Sequence, residues 1–168
     1  MAKRYFIELA YDGTPFHGWQ IQPNAKSIQE SLNNTLSTIL RDEINAVGCG
    51  RTDTGVHAKK FFAHFDLEQP INELEQLTYK CNRMLDPAIA IQRFFEVTNE
   101  AHARFSALSR SYEYLITQQK DPFAVNRRWE MREKLDVEAM NEAASILQDY
   151  KDFTSFSKSN TQTETNLC

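Results

Sequence analysis

The residues best suited to do chemistry lie in one polar, glycine-flanked segment, residues 50–58, which reads GRTDTGVHA. In an extended segment, residues two apart share a face, so Arg51 and Asp53 are expected to lie side by side. Their attraction, about 4 kcal/mol at ~4 Å and an effective dielectric of ~20, favours an ionised Asp53 carboxylate, as a nucleophile or base requires. The same spacing is typical of a turn in which Asp53 accepts hydrogen bonds from nearby backbone amides.

Basic residues are concentrated in one part of an otherwise acidic chain. The 168 residues carry a net charge of −4. Residues 101–134 nevertheless hold seven bases against four acids, a local charge of +3, whereas residues 135–168 carry a local charge of −4. A polyanion such as a nucleic acid can therefore dock on the first stretch despite the acidic total.

Composition and spacing argue against several other classes of protein. Apolar residues make up 41% of the chain and charged residues 25%, the balance of a globular domain. No run of some twenty apolar residues and no long apolar leader is present, so we expect a cytoplasmic protein with no membrane partner. Cys49, Cys81 and Cys168 are expected to be reduced thiols, and the four histidines lack the spacing of a helical zinc site, so no metal is expected.

Hydrophobic periodicity predicts the order β-α-β-β-α-β in the N-terminal part of the chain. The predicted strands are residues 4–11, 44–49, 60–66 and 89–97, and the predicted helices are residues 28–41 and a segment that begins after Pro70. Ser27 and Glu30 have the spacing of a capping box at the start of the first helix. This order is typical of an α+β, ferredoxin-like fold with two helices on one face of an antiparallel sheet, which leaves the other face open to a ligand.

The rest of the chain is expected to begin a second, similar subdomain. Alternation predicts a fifth strand over residues 108–117, and helical spacing predicts a third helix over residues 137–149. That helix would direct one apolar side inward, formed by Val137, Met140, Ala144 and Leu147. We therefore divide the chain into a ferredoxin-like subdomain, 1–100, which carries the polar segment, and an incomplete second subdomain, 101–168.

Several motifs, in the same order along the chain, resemble those of the TruA-type tRNA pseudouridine synthases. Residues 50–58 resemble that family's GRTDAGVHA signature, with Thr54 in place of alanine. The other matches are YDG at 11–13, GWQ at 18–20, SIQ at 27–29, HARFSA at 102–107, RSYEY at 110–114 and DFTSF at 152–156. Phe61 replaces a usual glutamine, and residues 85–89 depart from a usual LPxDI. Family members continue further, so we expect this chain to be truncated at its C-terminus.

The resemblance implies isomerisation of uridine to pseudouridine in the anticodon stem-loop of tRNA, without a cofactor, by a homodimer. It implies that Asp53 is the catalytic aspartate and that Arg51 pairs with it and fills the place of the flipped nucleotide. Tyr112 aligns with the active-site tyrosine, which stacks on the extruded base and whose hydroxyl takes the C5 proton, directly or through water. The basic side chains expected to contact phosphates, rather than only to face solvent, are Lys59, Lys60, Arg104 and Arg110.

Two other functions compete with this interpretation. The tripeptide at residues 53–55, DTG, also occurs in aspartic proteases, where two such loops share a proton. Those enzymes are almost entirely β-structured and carry apolar residues before the aspartate, whereas Arg51 and Thr52 precede it here. A ferredoxin-like RNA-binding module without catalysis would need stacking aromatics on its central strands, but no acid at residue 53.

Overall fold

The structure of the protein is a computed structural model that covers residues 2–157 and residue 167. The chain forms two compact units, Met1–Glu113 and Tyr114–Cys168. The predicted order of elements is confirmed in the first unit. Its elements are β1 (Lys3–Tyr11), α1 (Ile28–Leu40), β2 (Val47–Gly48), β3 (Ala58–Leu67), α2 (Leu74–Met84) and β4 (Ile89–Val97).

The strands of the first unit make one antiparallel sheet in the order β2-β3-β1-β4. Alternate residues of β1, from Tyr5 to Tyr11, are buried and join the apolar side chains of both helices in one core. The helix residues of this core are Ile28, Leu32, Leu36, Leu77 and Cys81. The α+β, ferredoxin-like fold expected from the sequence is therefore confirmed.

The start of α1 follows the predicted cap, because the Ser27 side chain accepts a hydrogen bond from the Glu30 backbone N–H at 3.2 Å. The predicted strand over residues 44–49 shrinks to Val47–Gly48. Polar side chains of α1 bind the backbone just before it instead. Asn33 accepts from the Ala46 N–H at 3.0 Å, and the Gln29 side-chain amide donates to the Ala46 carbonyl at 2.8 Å. These side-chain bonds take the place of the backbone hydrogen bonds that a longer β2 would make to its neighbouring strand.

The sheet face without helices is covered at one end by the chain that follows β4. The Ala103 N–H donates to Nδ1 of the buried His64 at 3.2 Å, and the His102 ring lies 4.6 Å from the His64 ring. The Phe105 ring continues this row, 4.4 Å from that of His102. Residues 102–105 therefore belong to the first unit and fix one border of its open face.

The second unit differs from the sequence expectations. Of the predicted strand 108–117, only Ile116–Thr117 pairs, in parallel, as β5 with β6 (Trp129–Glu130). A strand needs a neighbour with which to exchange backbone hydrogen bonds, and residues 108–114 have none among the described residues. Alternating side chains alone did not reveal this.

The third helix has the predicted position but not the predicted packing. It runs as α3 from Val137 to Ile146 and ends in a 3₁₀ turn, Leu147–Asp149. None of its residues is buried, so the predicted inward side, which includes Met140 at 49% exposure, is wrong within the described part of the unit. The described sheet there is only β5 and β6, too small to cover an amphipathic helix.

Three expectations about special groups can be compared with the described residues. None of the described helices is long and apolar enough to cross a membrane. The described residues contain no group of three or more histidines, cysteines or acids that could hold a metal ion. Cys49 and Cys81 are free thiols, and Cys168 lies outside the described residues.

The burial of His64 makes the stability of the first unit depend on pH. His64 is 3% exposed, and burial, followed by the charge of Arg4, lowers its pKa to about 4, against about 6.5 in an unfolded chain. Between these values the unfolded state binds more protons, so stability is full above about pH 6.5 and is lost as the pH falls towards 4. Nδ1 must stay unprotonated to accept the Ala103 N–H.

We therefore predict a steeper acid dependence for the wild type than for His64→Gln. In urea unfolding, the wild type should lose about 2 kcal/mol more than the variant between about pH 7 and about pH 5, because only the wild type must keep a buried imidazole neutral. Acidic groups that titrate in both proteins contribute equally, so their effect cancels when the two losses of unfolding free energy are subtracted. If the free energy of unfolding falls equally with pH in both proteins, the burial of His64 does not cause the acid dependence.

Candidate active site

Asp53 lies in the loop that joins β2 to β3, and the residue before it is tied to the sheet. The Tyr11 hydroxyl, at the end of β1, lies 3.0 Å from the Thr52 hydroxyl. The backbone N–H of Trp19 donates to the Thr52 carbonyl at 3.1 Å. Burial raises the pKa of Tyr11 to about 12, so its hydroxyl keeps its proton for this contact at neutral pH. The residue preceding Asp53 is thus held through both its side chain and its backbone.

Two glycines let the backbone of residues 13–18 approach the loop closely on both sides of Asp53. A Cβ on Gly18 would lie 2.3 Å from the Thr52 carbonyl oxygen, and one on Gly13 would lie 2.1 Å from the Val56 carbonyl oxygen. Non-bonded atoms do not come this close, so neither position has room for a side chain. Gly18 also has a φ of 86°, which residues with a Cβ rarely adopt.

A tight turn sets the backbone of Asp53 itself. The Val56 N–H donates to the Asp53 carbonyl at 3.2 Å, and Gly55, with a φ of 77°, occupies the turn. The Gly55 N–H in turn donates to the Phe16 carbonyl at 3.4 Å. The Asp53 side chain is exposed to solvent. The turn expected from the sequence therefore exists, closed by the backbone, and it presents the carboxylate outward.

His57 closes the far end of the loop, a role that the sequence analysis did not identify. Its Nδ1 accepts the Gly13 N–H at 3.0 Å and lies 3.0 Å from a carboxylate oxygen of Asp12. That same oxygen accepts the Thr14 N–H at 2.9 Å. The YDG and GVHA motifs are thus two sides of one contact, which only their closeness in space reveals.

An aromatic cluster supports the loop from below. The Trp19 ring lies 4.4 Å from that of Phe61 and 6.4 Å from that of Tyr11. Gly48 lets this indole reach β2, because a Cβ there would lie 2.6 Å from the ring. Phe61, which departs from the resembled family's usual glutamine, is 5% exposed and belongs to the core. The departure adds apolar support beneath the loop.

The structure does not form the ion pair expected between Arg51 and Asp53. Both residues are exposed, and the ion pairs of the described residues do not include one between them. Arg51 takes part in other interactions. The expectation assumed an extended strand, whereas residues 51–53 belong to no strand and pass directly into a turn, so side-chain alternation does not apply to them.

Arg110 fastens the segment that carries Tyr112 beside the loop. Its Nε and Nη2 both donate to the Cys49 carbonyl, at 3.0 and 2.6 Å, and Nη2 also donates to the Arg104 carbonyl at 2.8 Å. Tyr112, two residues beyond Arg110, is 78% exposed. Arg110 therefore ties the segment that carries Tyr112 to Cys49, at the start of the loop that contains Asp53.

The remaining predicted phosphate contacts have partners of their own. Lys59 forms an ion pair with Glu113, and Lys60 lies 3.3 Å from a carboxylate oxygen of Glu8. The Arg104 guanidinium lies 5.6 Å from the centre of the Phe105 ring. Lys59 lies one residue, and Lys60 two residues, beyond the start of β3, where the loop ends. Arg104 belongs to the segment, residues 102–105, that covers one border of the open face.

Comparison with known proteins yields a consistent result. No protein-family model matches the chain. It is 50% identical to tRNA pseudouridine synthase A of Parabacteroides distasonis, over 99% of this chain and 66% of that relative. The proteins of the same name from Bacteroides thetaiotaomicron and Bacteroides fragilis are 51% and 49% identical, over 99% of this chain and 61% and 66% of their own lengths.

The chain thus spans slightly less than two thirds of the length of the curated relatives it matches. The match extends over nearly the whole chain, so it spans the loop around Asp53, the glycine segment that holds it and the segment around Tyr112. This chain therefore belongs to the tRNA pseudouridine synthase A family.

Proposed function

We propose that this chain carries the catalytic centre of an enzyme that isomerises uridine to pseudouridine in the anticodon stem-loop of tRNA. The observation that carries the proposal is the placement of Asp53, an exposed carboxylate between two backbone contacts that admit no side chain. An exposed acid whose backbone is restrained on both sides is better explained by a catalytic role than by a simple turn. The name shared by the relatives supplies the substrate class.

The reaction needs a carboxylate but no oxidant or co-substrate. The N1–C1′ bond of uridine breaks, the base rotates, and a C5–C1′ bond forms, while C5 loses a proton and N1 gains one. The product is therefore an isomer of the same mass. The Asp53 carboxylate can attack C1′, assist formation of a glycal, or add to C6 of the base. Each of these routes needs it ionised and close to the extruded nucleotide.

Arg51 and Tyr112 are proposed to act on either side of that nucleotide. Extruding a base costs a few kcal/mol, and the guanidinium of Arg51 can fill the place that the base leaves. The exposed ring of Tyr112 can stack on the extruded base, which is worth about 1–3 kcal/mol. Its hydroxyl is then placed to take the C5 proton, directly or through water.

The basic residues around the loop are proposed to bind the tRNA backbone. Lys59, Lys60 and Arg104 are exposed or half-exposed. Lys59 and Arg104 would exchange their present partners for phosphates, whereas Lys60 would contact a phosphate while it stays beside Glu8. Arg110 donates to two carbonyls, so we propose that it mainly positions Tyr112. The resemblance to TruA-type enzymes supports a homodimer that binds tRNA across two subunits, and the tRNA substrate supports a cytoplasmic location.

The first test replaces the reacting carboxylate with an amide of the same size. Asp53→Asn should reduce pseudouridine formation in tRNA by at least about 10³-fold and leave the Kd for tRNA unchanged, because only the charge is lost. Asp42→Asn, a change at an exposed aspartate next to the C-terminal end of α1, is the matched control and should react like the wild type.

Pseudouridine is measured by mass spectrometry after cyanoethylation, which labels the product selectively. Turnover of Asp53→Asn close to that of the wild type would remove Asp53 from the mechanism. It would favour the RNA-binding module without catalysis.

The second test separates the two proposed roles of Tyr112. Tyr112→Phe keeps the stacking ring and should keep the Kd for tRNA, but it should reduce the rate of a single turnover by about 10²-fold or more, because the hydroxyl is missing. Tyr79→Phe, at an exposed tyrosine of α2, is the control. A normal rate in Tyr112→Phe would leave Tyr112 with stacking alone.

A further inference from the structure

Three phenylalanines lie together on the helix-free face of the sheet, and we call them the phenylalanine face. They are Phe6 on β1, Phe62 on β3 and Phe95 on β4. Phe6 pairs directly with Phe95 across the strands, with ring centres 5.7 Å apart, and the Phe62 ring lies 6.5 Å from that of Phe95. All three are half-buried, so each ring keeps a part of its surface exposed.

The first unit covers only one border of this face. Its helices pack on the opposite side of the sheet, where alternate residues of β1 from Tyr5 onward are buried. The His102 ring packs on that of His64, which is paired with Phe6 across β1 and β3, and so reaches the edge of the phenylalanine face. Within the first unit, half-buried aromatic rings on the central strands β1 and β3 thus lie at the surface.

Cations accompany two of the three rings. The Lys60 ammonium lies 5.8 Å from the centre of the Phe62 ring, and the Arg93 guanidinium carbon lies 5.0 Å from that of Phe95. Glu8 lies between them, 3.3 Å from Lys60 Nζ and 2.7 Å from Arg93 Nε. One carboxylate thus holds two cations in place and neutralises only one of them, which leaves the face net positive.

Glu8 is suited to this positioning role. Its side chain is 13% exposed, and the hydrogen bond from Arg93, together with the contact to Lys60, lowers its pKa. It therefore stays ionised at neutral pH and keeps both cations beside the rings.

We propose that the phenylalanine face binds a single-stranded stretch of RNA, with bases stacked on Phe62 and Phe95 and phosphates beside Lys60 and Arg93. The proposal rests on the proposed function and adds to it a second region of contact with the substrate, outside the Asp53 loop. Four-stranded sheets that present aromatics on their central strands bind unstacked bases in this way. Bases offer a stacking surface and phosphates a negative charge, the two properties that this face complements.

The charges make an apolar protein partner a poorer fit. A helix or a second copy placed over the rings would bury Lys60, Arg93 and Glu8 together, and desolvating three charges joined by one carboxylate is costly. RNA supplies further phosphates to the cations while it covers the rings. The face also starts close to the loop, since Lys60 is only two residues into β3.

The first experiment removes the rings but keeps the apolar volume. Fluorescence anisotropy measures binding of a labelled oligouridine of about 12 nucleotides, within the size range of single-strand sites. Phe62→Leu and Phe95→Leu should each weaken binding about tenfold, because leucine fills the space but offers no face for stacking. Tyr79→Leu, an aromatic change on the helix side, should bind like the wild type.

The second experiment tests the cations. For the same oligonucleotide, Arg93→Gln should reduce the slope of log affinity against log salt by about 0.7, the contribution of one phosphate contact to a single strand. Lys80→Gln, at an exposed lysine on α2, should leave the slope unchanged. An unchanged slope in Arg93→Gln would contradict the assigned phosphate contact.

Photocrosslinking identifies the bound surface without relying on a variant. A 4-thiouridine oligonucleotide should attach to peptides that contain Phe62 or Phe95, and adducts confined to the loop around Asp53 would overturn the proposal. So would leucine variants that bind like the wild type, or that change only the sedimentation coefficient, which would indicate a contact between copies. The proposed function is decided separately by Asp53→Asn, so the binding platform can fail while the catalytic assignment survives.

Discussion

The candidate active site depends on contact between two stretches of backbone with no side chain between them. Gly18 packs against the carbonyl of Thr52, and Gly13 against that of Val56, so the turn that contains Asp53 is gripped just before and just after the reactive residue. Hydrogen bonds from Trp19 and Gly55 follow the same path. Because these contacts restrain the backbone of Asp53, its carboxylate can stay exposed to a substrate and still keep a defined position.

The glycine segment is itself held by the first helix. The Ile28 N–H donates to the Gly18 carbonyl at 3.2 Å, and the Gln29 N–H donates to the Trp19 carbonyl at 3.0 Å. These are amides of the first turn of α1, which have no partner within the helix. The capped start of α1 therefore connects the core to the loop. The position of α1 on the sheet therefore restrains the backbone next to Asp53 through a few backbone hydrogen bonds.

The sequence predicts the first unit well because its signals are local. Alternation in β1, the cap at Ser27 and the apolar spacing of α1 each lie within one element, and the structure has all three. Contacts between distant segments were harder to predict. The Arg51–Asp53 pair is not formed because residues 51–53 belong to no strand, and the segment 108–114 lacks a neighbouring strand among the described residues. The glycines could be read as turn residues, but not as the points where two loops touch.

Amide hydrogen exchange measures the grip on the loop most directly, and two glycines with left-handed backbone provide a matched pair. Gly18 has a φ of 86° and the Thr52 carbonyl against it, whereas Gly55 has a φ of 77° and no atom within 4 Å of the position that a Cβ would take. Gly18→Ala should therefore speed exchange of the Trp19 and Val56 amides by at least about tenfold, with the amides of β1 unchanged, while Gly55→Ala should leave Trp19 protected. Equal protection of Trp19 in the two variants would show that backbone contact at Gly18 does not hold the loop.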